Sequence, residues 1–287
     1  MPSASIKTVA VAGAGTMGQG IALACSLSGY QVILFDVSSD YLQRGLTAIG
    51  KQMDELIARN KLTPIQKEEA QNRITSVDKV EEVRADLIIE AIIERVEAKQ
   101  ELFVALEKVN ARDVVFASNT SSISITKIAE ALMYPGRFVG VHFFNPAHVM
   151  KLVEVIEGKK TDRLVMEAMV AFVKSLHKVP VTAKDSPGFI VNRVARHYYL
   201  EALKQVEHQA ADVSSIDNLL RSAGFKMGPF ELMDLIGVDI NLAVSTSVYE
   251  AFNREIRFKP SVIQQDLVQA GSLGRKTGKG FYDYSQK

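Results

Sequence analysis

A chain of 287 residues is long enough for two domains and a sizeable core. Its 47% apolar and 23% charged residues exclude a disordered polar chain, and 34 Lys plus Arg against 33 Asp plus Glu exclude the global basic field of a nucleic-acid or anionic-membrane binder. A single cysteine, Cys25, excludes an intrachain disulfide framework and a multi-cysteine zinc site; it fits a reducing, cytoplasmic setting and reads as inert core packing.

Residues 1–7 are polar, and the first apolar run ends at Gly13, short of what a signal peptide or membrane span needs, so a soluble protein is expected. From Thr8 to about Pro180, short β-branched runs alternate with helical patterns, the signature of a parallel sheet with helices on both faces. The first strand is expected at residues 9–12. It runs into Gly13-Ala14-Gly15-Thr16-Met17-Gly18 and then into a helix. Gly13 would allow the tight turn, Gly15 the approach of a pyrophosphate, and Gly18 close packing of helix on strand, with the phosphates facing the helix amino terminus through the backbone of Thr16 and Met17. The second strand, 31–35, ends at Asp36, the acid expected about 20 residues after the glycines to bind an adenosine ribose. Val37 and Ser38 follow it rather than Arg, which favours NAD over NADP.

Leu42, Leu46, Ile49, Met53, Leu56 and Ile57 then line one face of a helix, and Thr63-Pro64-Ile65-Gln66 opens a second with a capping box. This helical hairpin carries Arg44, Lys51, Lys61 and Lys67 on its polar surface, either a solvated face or part of a substrate surface. A strand near Ile74 follows, then strands at 87–93 and 114–118. The last leads into Asn119-Thr120-Ser121-Ser122, hydrogen-bonding side chains at the carboxyl end of a strand, where ligands bind in open α/β sheets. Capping by Ser122 and Ser124 is the other reading.

Two later strands, 138–142 and 152–156, each hold a polar residue that apolar patterning does not predict, His142 and Glu154. Alone, each is more simply structural. If their strands are neighbours joined through residues 145–150, Glu154 fixes the tautomer of His142 and leaves its other nitrogen to exchange a proton, the unit needed to oxidise an alcohol as hydride leaves for a nicotinamide. After a strand at 179–181, Lys184-Asp185-Ser186-Pro187-Gly188 breaks the pattern, so the boundary divides 1–185 from 186–287. Helical periodicity covers the second part at 190–206, 215–223, 238–252 and 261–270, and its small size favours pairing with another subunit. The expected fold class is α/β: a Rossmann-like, mostly parallel sheet domain with a helical hairpin insertion, followed by a smaller all-helical domain. No metal site is expected.

The glycine motif, Ala117-Ser118-Asn119-Thr120-Ser121-Ser122, His142-Phe143-Phe144-Asn145-Pro146, Asp185-Ser186-Pro187-Gly188-Phe189-Ile190-Val191-Asn192-Arg193, Met227-Gly228-Pro229-Phe230 and Leu273-Gly274-Arg275-Lys276-Thr277-Gly278 stand in the order found in one family. In them the chain resembles, over essentially its whole length, the L-3-hydroxyacyl-CoA dehydrogenases, especially the bacterial 3-hydroxybutyryl-CoA dehydrogenases. The resemblance implies NAD-dependent interconversion of a (3S)-hydroxyacyl-CoA and its 3-ketoacyl-CoA, a β-oxidation type of chemistry, and a homodimer through the helical domain. It implies His142 as base, Glu154 as its orienting partner, Ser121 and Asn192 on the substrate's 3-oxygen in an interdomain site, Glu94, Lys99 and Asn119 on NAD, Asn145 shaping the site, and Lys51 as a candidate CoA contact. His148 departs from the family, where a proline is common. Other readings are 3-hydroxyadipyl-CoA as substrate, an L-gulonate-type dehydrogenase, and a non-catalytic NAD-binding relative. A β-hydroxyacid dehydrogenase is disfavoured because the opening helix of the second domain lacks that family's lysine.

Overall fold

The computed structural model describes residues 6–285, and the chain divides into two compact units, the first ending at Ser186 and the second beginning at Pro187. The first holds one eight-stranded sheet: β1 (Thr8–Ala12), β2 (Gln31–Phe35), β3 (Ile74–Val77), β4 (Leu87–Glu90), β5 (Val115–Ser118), β6 (Phe138–Phe143), β7 (Leu152–Glu157) and β8 (Val179–Lys184), ordered β3-β2-β1-β4-β5-β6-β7-β8. The first six strands run parallel. β7 is antiparallel to β6, and β8 is parallel to β7. Val9, Ala10, Val11 and Ala12 have no exposed surface, so both faces of β1 are covered, which is why these strands read as continuous apolar runs rather than alternating ones.

Six helices accompany the sheet: α1 (Thr16–Leu27), α2 (Ser39–Ala58), α3 (Pro64–Asn72), α4 (Val96–Val109), α5 (Ile125–Ala129) and α6 (Arg163–Ser175). The hairpin insertion is α2 and α3. Leu42, Ile49 and Met53 are buried, and Thr63 and Gln66 form the capping box read from sequence. One expected strand is shorter than read: 87–93 ends at Glu90. The last parallel partners there are Ala12, Glu90 and Ser118, and beyond them the β1 and β5 chains turn away, leaving Ala91 to Ile93 no ladder to join.

The second unit is helical: α7 (Val191–Glu207), α8 (Val213–Ser222), α9 (Pro229–Ile236), α10 (Val238–Ala251) and α11 (Val262–Gln269), around Tyr199, Leu200, Leu203, Phe230 and Met233. Arg196 crosses from α7 to α10, donating to the Asn241 carbonyl (3.0 Å) and Ser245 Oγ (2.9 Å), and burial among these neutral partners pushes its guanidinium down to about 10. Among the described residues no single helix is long and apolar enough to cross a membrane.

Candidate active site

Parallel strands place their carboxyl ends on one edge of the sheet. The loops after β1, β2, β4 and β5 and the end of β6 therefore converge there, and strand order reverses between β1 and β4. The glycine motif fills the first of these loops. Gly13 has φ +109°, and a Cβ on it would lie 2.5 Å from the Ala91 carbonyl oxygen; a Cβ on Gly18 would lie 1.7 Å from the Gly13 carbonyl oxygen. Both positions are closed to any other residue. Gly15 differs: it is the N-cap of α1, carries no side-chain cap, and no atom lies within 4 Å of where its Cβ would stand. The first-turn N–H groups of α1, from exposed Thr16 and half-buried Met17, thus border an open cradle that suits a pyrophosphate. Asp36 accepts from the Ala14 N–H (2.9 Å) and the Ser38 N–H (3.1 Å), so its carboxylate shapes this loop and keeps lone pairs for ribose hydroxyls.

A charged network underlies the β4 and β5 loops. Glu90, with no exposed surface, accepts from Lys99 Nζ (2.5 Å), Ser118 Oγ (2.6 Å) and the Ile92 N–H (2.8 Å). Lys99, itself buried, also reaches Glu94 (3.1 Å). Glu94 Oε1 gathers Thr120 Oγ1 (2.5 Å), the Ser121 N–H (3.0 Å) and Ser122 Oγ (3.1 Å). Burial works against the Glu94 carboxylate, but Lys99, Thr120 and Ser121 together outweigh it and hold the carboxyl below its usual range. Lys99 therefore differs from the first-turn surface charge its pattern resembles. Asn119, at the mouth of β5, accepts the Phe143 N–H at 2.8 Å and so ties β5 to the end of β6.

The antiparallel step from β6 to β7 sets His142 directly opposite Glu154, and the His142 Nδ1 to Glu154 Oε2 distance is 2.8 Å. Both side chains are buried, Glu154 completely. With Nδ1–H donating to the carboxylate, Nε2 is the basic nitrogen of the ring, and the anion stabilises an imidazolium when one forms. Asn145 lies exposed in the following loop. That loop is held from below by buried Lys178, whose ammonium donates to the Ala147 and Met150 carbonyls at 2.6 and 2.7 Å.

Lys51 is exposed on α2 beside Gln43, Arg44 and Thr47 along a surface groove. Asn192 lies in the first turn of α7, in the second unit. Among the described residues no group of three or more His, Cys, Asp or Glu is arranged to hold a metal ion. The Cys25 thiol is buried and pushed up to about 12, consistent with core packing. Reading the sequence did not single out Glu90 or Lys178. Glu90 carried a usable signal, a carboxylate closing the aliphatic run Leu87-Ile88-Ile89, the same anomaly that marked Glu154. Lys178 carried none, because its partners are backbone carbonyls some 30 residues away.

Comparison with known proteins identifies the family. Residues 8–186 match the family described as 3-hydroxyacyl-CoA dehydrogenase, NAD binding domain, and residues 188–284 match 3-hydroxyacyl-CoA dehydrogenase, C-terminal domain. The chain is 48% identical to the 3-hydroxyadipyl-CoA dehydrogenase of Escherichia coli K12 over 98% of its own length, and spans 59% of the length of that relative. It is 39% identical to a 3-hydroxybutyryl-CoA dehydrogenase of Bradyrhizobium diazoefficiens, covering 98% of this chain and 97% of the other. The crystal structure of the (S)-3-hydroxybutyryl-CoA dehydrogenase of Ralstonia eutropha superposes with a TM-score of 0.93 at 40% identity, over 98% of this chain and all of that one. The chain belongs to the 3-hydroxyacyl-CoA dehydrogenase family, its first unit matching that family's NAD-binding domain and its second the family's C-terminal domain.

Proposed function

We propose that this protein oxidises a short-chain (3S)-hydroxyacyl-CoA, 3-hydroxybutyryl-CoA first among candidates, to the 3-ketoacyl-CoA with NAD, and runs the reverse reduction. The observation that carries the reading is the buried His142–Glu154 pair at 2.8 Å, in a chain whose first unit matches an NAD-binding domain. NAD, when bound, accepts the hydride from C3 of the substrate. His142 takes the 3-hydroxyl proton at Nε2, and Glu154 keeps Nδ1 protonated and stabilises the resulting imidazolium. Ser121 and Asn192 hold the 3-oxygen. Gly13, Gly15, Thr16, Met17 and Gly18 receive the pyrophosphate, Asp36 the adenosine ribose, and Glu94 and Asn119 the remainder of the dinucleotide, with buried Lys99 serving it through Glu94. Asn145 shapes the substrate side, and Lys51 is the candidate contact for CoA phosphates. The setting is cytoplasmic β-oxidation of fatty acids, and the working form is a homodimer joined through the helical unit.

A second reading has one specific support: the Escherichia coli relative, 48% identical, is named for 3-hydroxyadipyl-CoA. Steady-state NADH formation with (3S)-3-hydroxybutyryl-CoA and with 3-hydroxyadipyl-CoA separates the two by kcat/KM. No turnover with either, or with longer 3-hydroxyacyl chains, overturns both.

A further inference from the structure

A fully buried carboxylate is retained at a cost unless its partners need it. Glu90 sits at the carboxyl end of β4, beyond hydrogen-bonding reach of any ligand-facing surface because it has no exposed surface at all. Two routes nevertheless run from it to the loop that carries Ser121. One passes from Glu90 to Lys99 (2.5 Å), from Lys99 to Glu94 (3.1 Å), and from Glu94 to Thr120 Oγ1, the Ser121 N–H and Ser122 Oγ (2.5, 3.0 and 3.1 Å). The other passes from Glu90 to Ser118 Oγ (2.6 Å) and from that oxygen to the Thr120 N–H (3.2 Å). We propose that Glu90 is a positioning residue for the Ser121 loop, acting through Lys99 and Ser118 rather than by touching substrate or cofactor.

The physical reason is the division of one buried cation between two carboxylates. Lys99 is 1% exposed and cannot draw on water for its charge. Glu90 anchors the ammonium from the core side. The side facing the loops is then left to Glu94, whose other oxygen gathers the loop donors, the Ser121 hydroxyl at 3.5 Å among them. Without the Glu90 charge, Lys99 is held from one side only, Glu94 follows it, and the bonds that define the loop lose their common acceptor. Ser118 adds a constraint independent of charge, since its hydroxyl donates to Glu90 and so presents its lone pairs to Thr120.

The inference rests on the reading of Ser121 as a contact to the substrate's 3-oxygen. Glu90→Gln keeps the volume and an acceptor oxygen but removes the charge that holds Lys99. The expected result is a kcat roughly 10- to 100-fold below wild type, the range a misplaced contact group produces, together with a lower melting temperature, because buried Lys99 keeps only one of its two carboxylates. In a Ser121→Ala background the same substitution is expected to cost almost nothing more, because the group it positions is already gone. A merely structural role would instead add in full to the Ser121→Ala loss. Should Glu90→Gln fold poorly, Ser118→Ala cuts the second route while leaving the carboxylate paired and is read by the same cycle. Unchanged kcat, or full additivity with Ser121→Ala, overturns the proposal. A wild-type enzyme that turns over no 3-hydroxyacyl-CoA overturns the function reading itself, so the two failures are distinct.

Discussion

His142 and Glu154 face each other across two strands, and the consequences of removing either follow from what each does to the other. Glu154 is completely buried, and a buried carboxylate that loses its partner costs about 3–5 kcal/mol unless it takes up a proton. His142→Gln therefore loses the basic nitrogen while keeping a donor for Glu154. It is expected to lower kcat by roughly 10²- to 10⁴-fold, with NAD affinity, followed by NADH fluorescence, little changed. Glu154→Gln keeps a bond to Nδ1 but not the negative charge, so kcat falls in the same direction. Wild-type rates in both variants would remove the pair from the mechanism. His148 gives the pH prediction. Burial, then the nearby Lys178 charge, holds its imidazole below its ordinary 6.5, against a smaller opposing pull from Glu55, and its Nδ1 is buried without a partner among the described residues. For a base whose folded pKa is depressed, the unfolded chain binds the proton first. Stability is thus fully present above about 6.5 and lost as pH falls from there through the folded value. Melting curves between pH 7 and about 5 should show a shallower decline in His148→Gln than in wild type; equal slopes would discard this account.

At the scale of elements, the β6–β7 connection decides whether the pair forms. Parallel neighbours need a long crossover, whereas the few residues between Phe143 and Leu152 permit an antiparallel return, and that return sets Glu154 opposite His142. This much was legible in the sequence, because a polar residue in each of two adjacent apolar runs marks the face they share. The capping box at Thr63 and Gln66 was legible for the same kind of reason: its partners are three residues apart. The pairing of Glu90 with Lys99 was not read, since nine residues and a strand end separate them and a first-turn helix lysine ordinarily faces water. Lys178 is the extreme case, recognising carbonyls that any residue supplies. It is buried, and desolvation holds its ammonium below the usual lysine range. Lys178→Met leaves the Ala147 and Met150 carbonyls without their donor, at about 1–3 kcal/mol for each group that water does not reach. The expected outcome is a lower urea midpoint together with a higher KM for substrate, as the loop bearing Asn145 loosens. A variant with unchanged urea midpoint and KM would show that the loop holds itself.

For the whole molecule, the question is why the second unit leaves so much apolar side chain in water. Val194 on α7, Leu235 on α9, Ile240 on α10 and Val262 on α11 are each about half exposed or more, at 67%, 50%, 49% and 57%, and Ile256 reaches 75%. A unit of this size buries a smaller share of its surface than a larger domain does, so uncovered apolar side chains are costly to it in isolation. Single exposed apolar residues are ordinary; several on successive helices of one small unit are better explained by a second copy of the chain. A two-fold contact repeats each residue's contribution on both subunits, so a few side chains suffice to build an interface. The near balance of 34 basic and 33 acidic residues leaves a net charge of only +1 to oppose the association. The wild-type chain is accordingly expected to sediment as a dimer at micromolar concentration. Leu235→Glu with Ile240→Glu should give monomers by analytical ultracentrifugation, because each dimer would then have to desolvate four carboxylates in an apolar contact. If the doubly charged variant still sediments as a dimer, α9 and α10 do not form the contact. A wild-type chain that remains monomeric would leave these side chains to a partner of another kind.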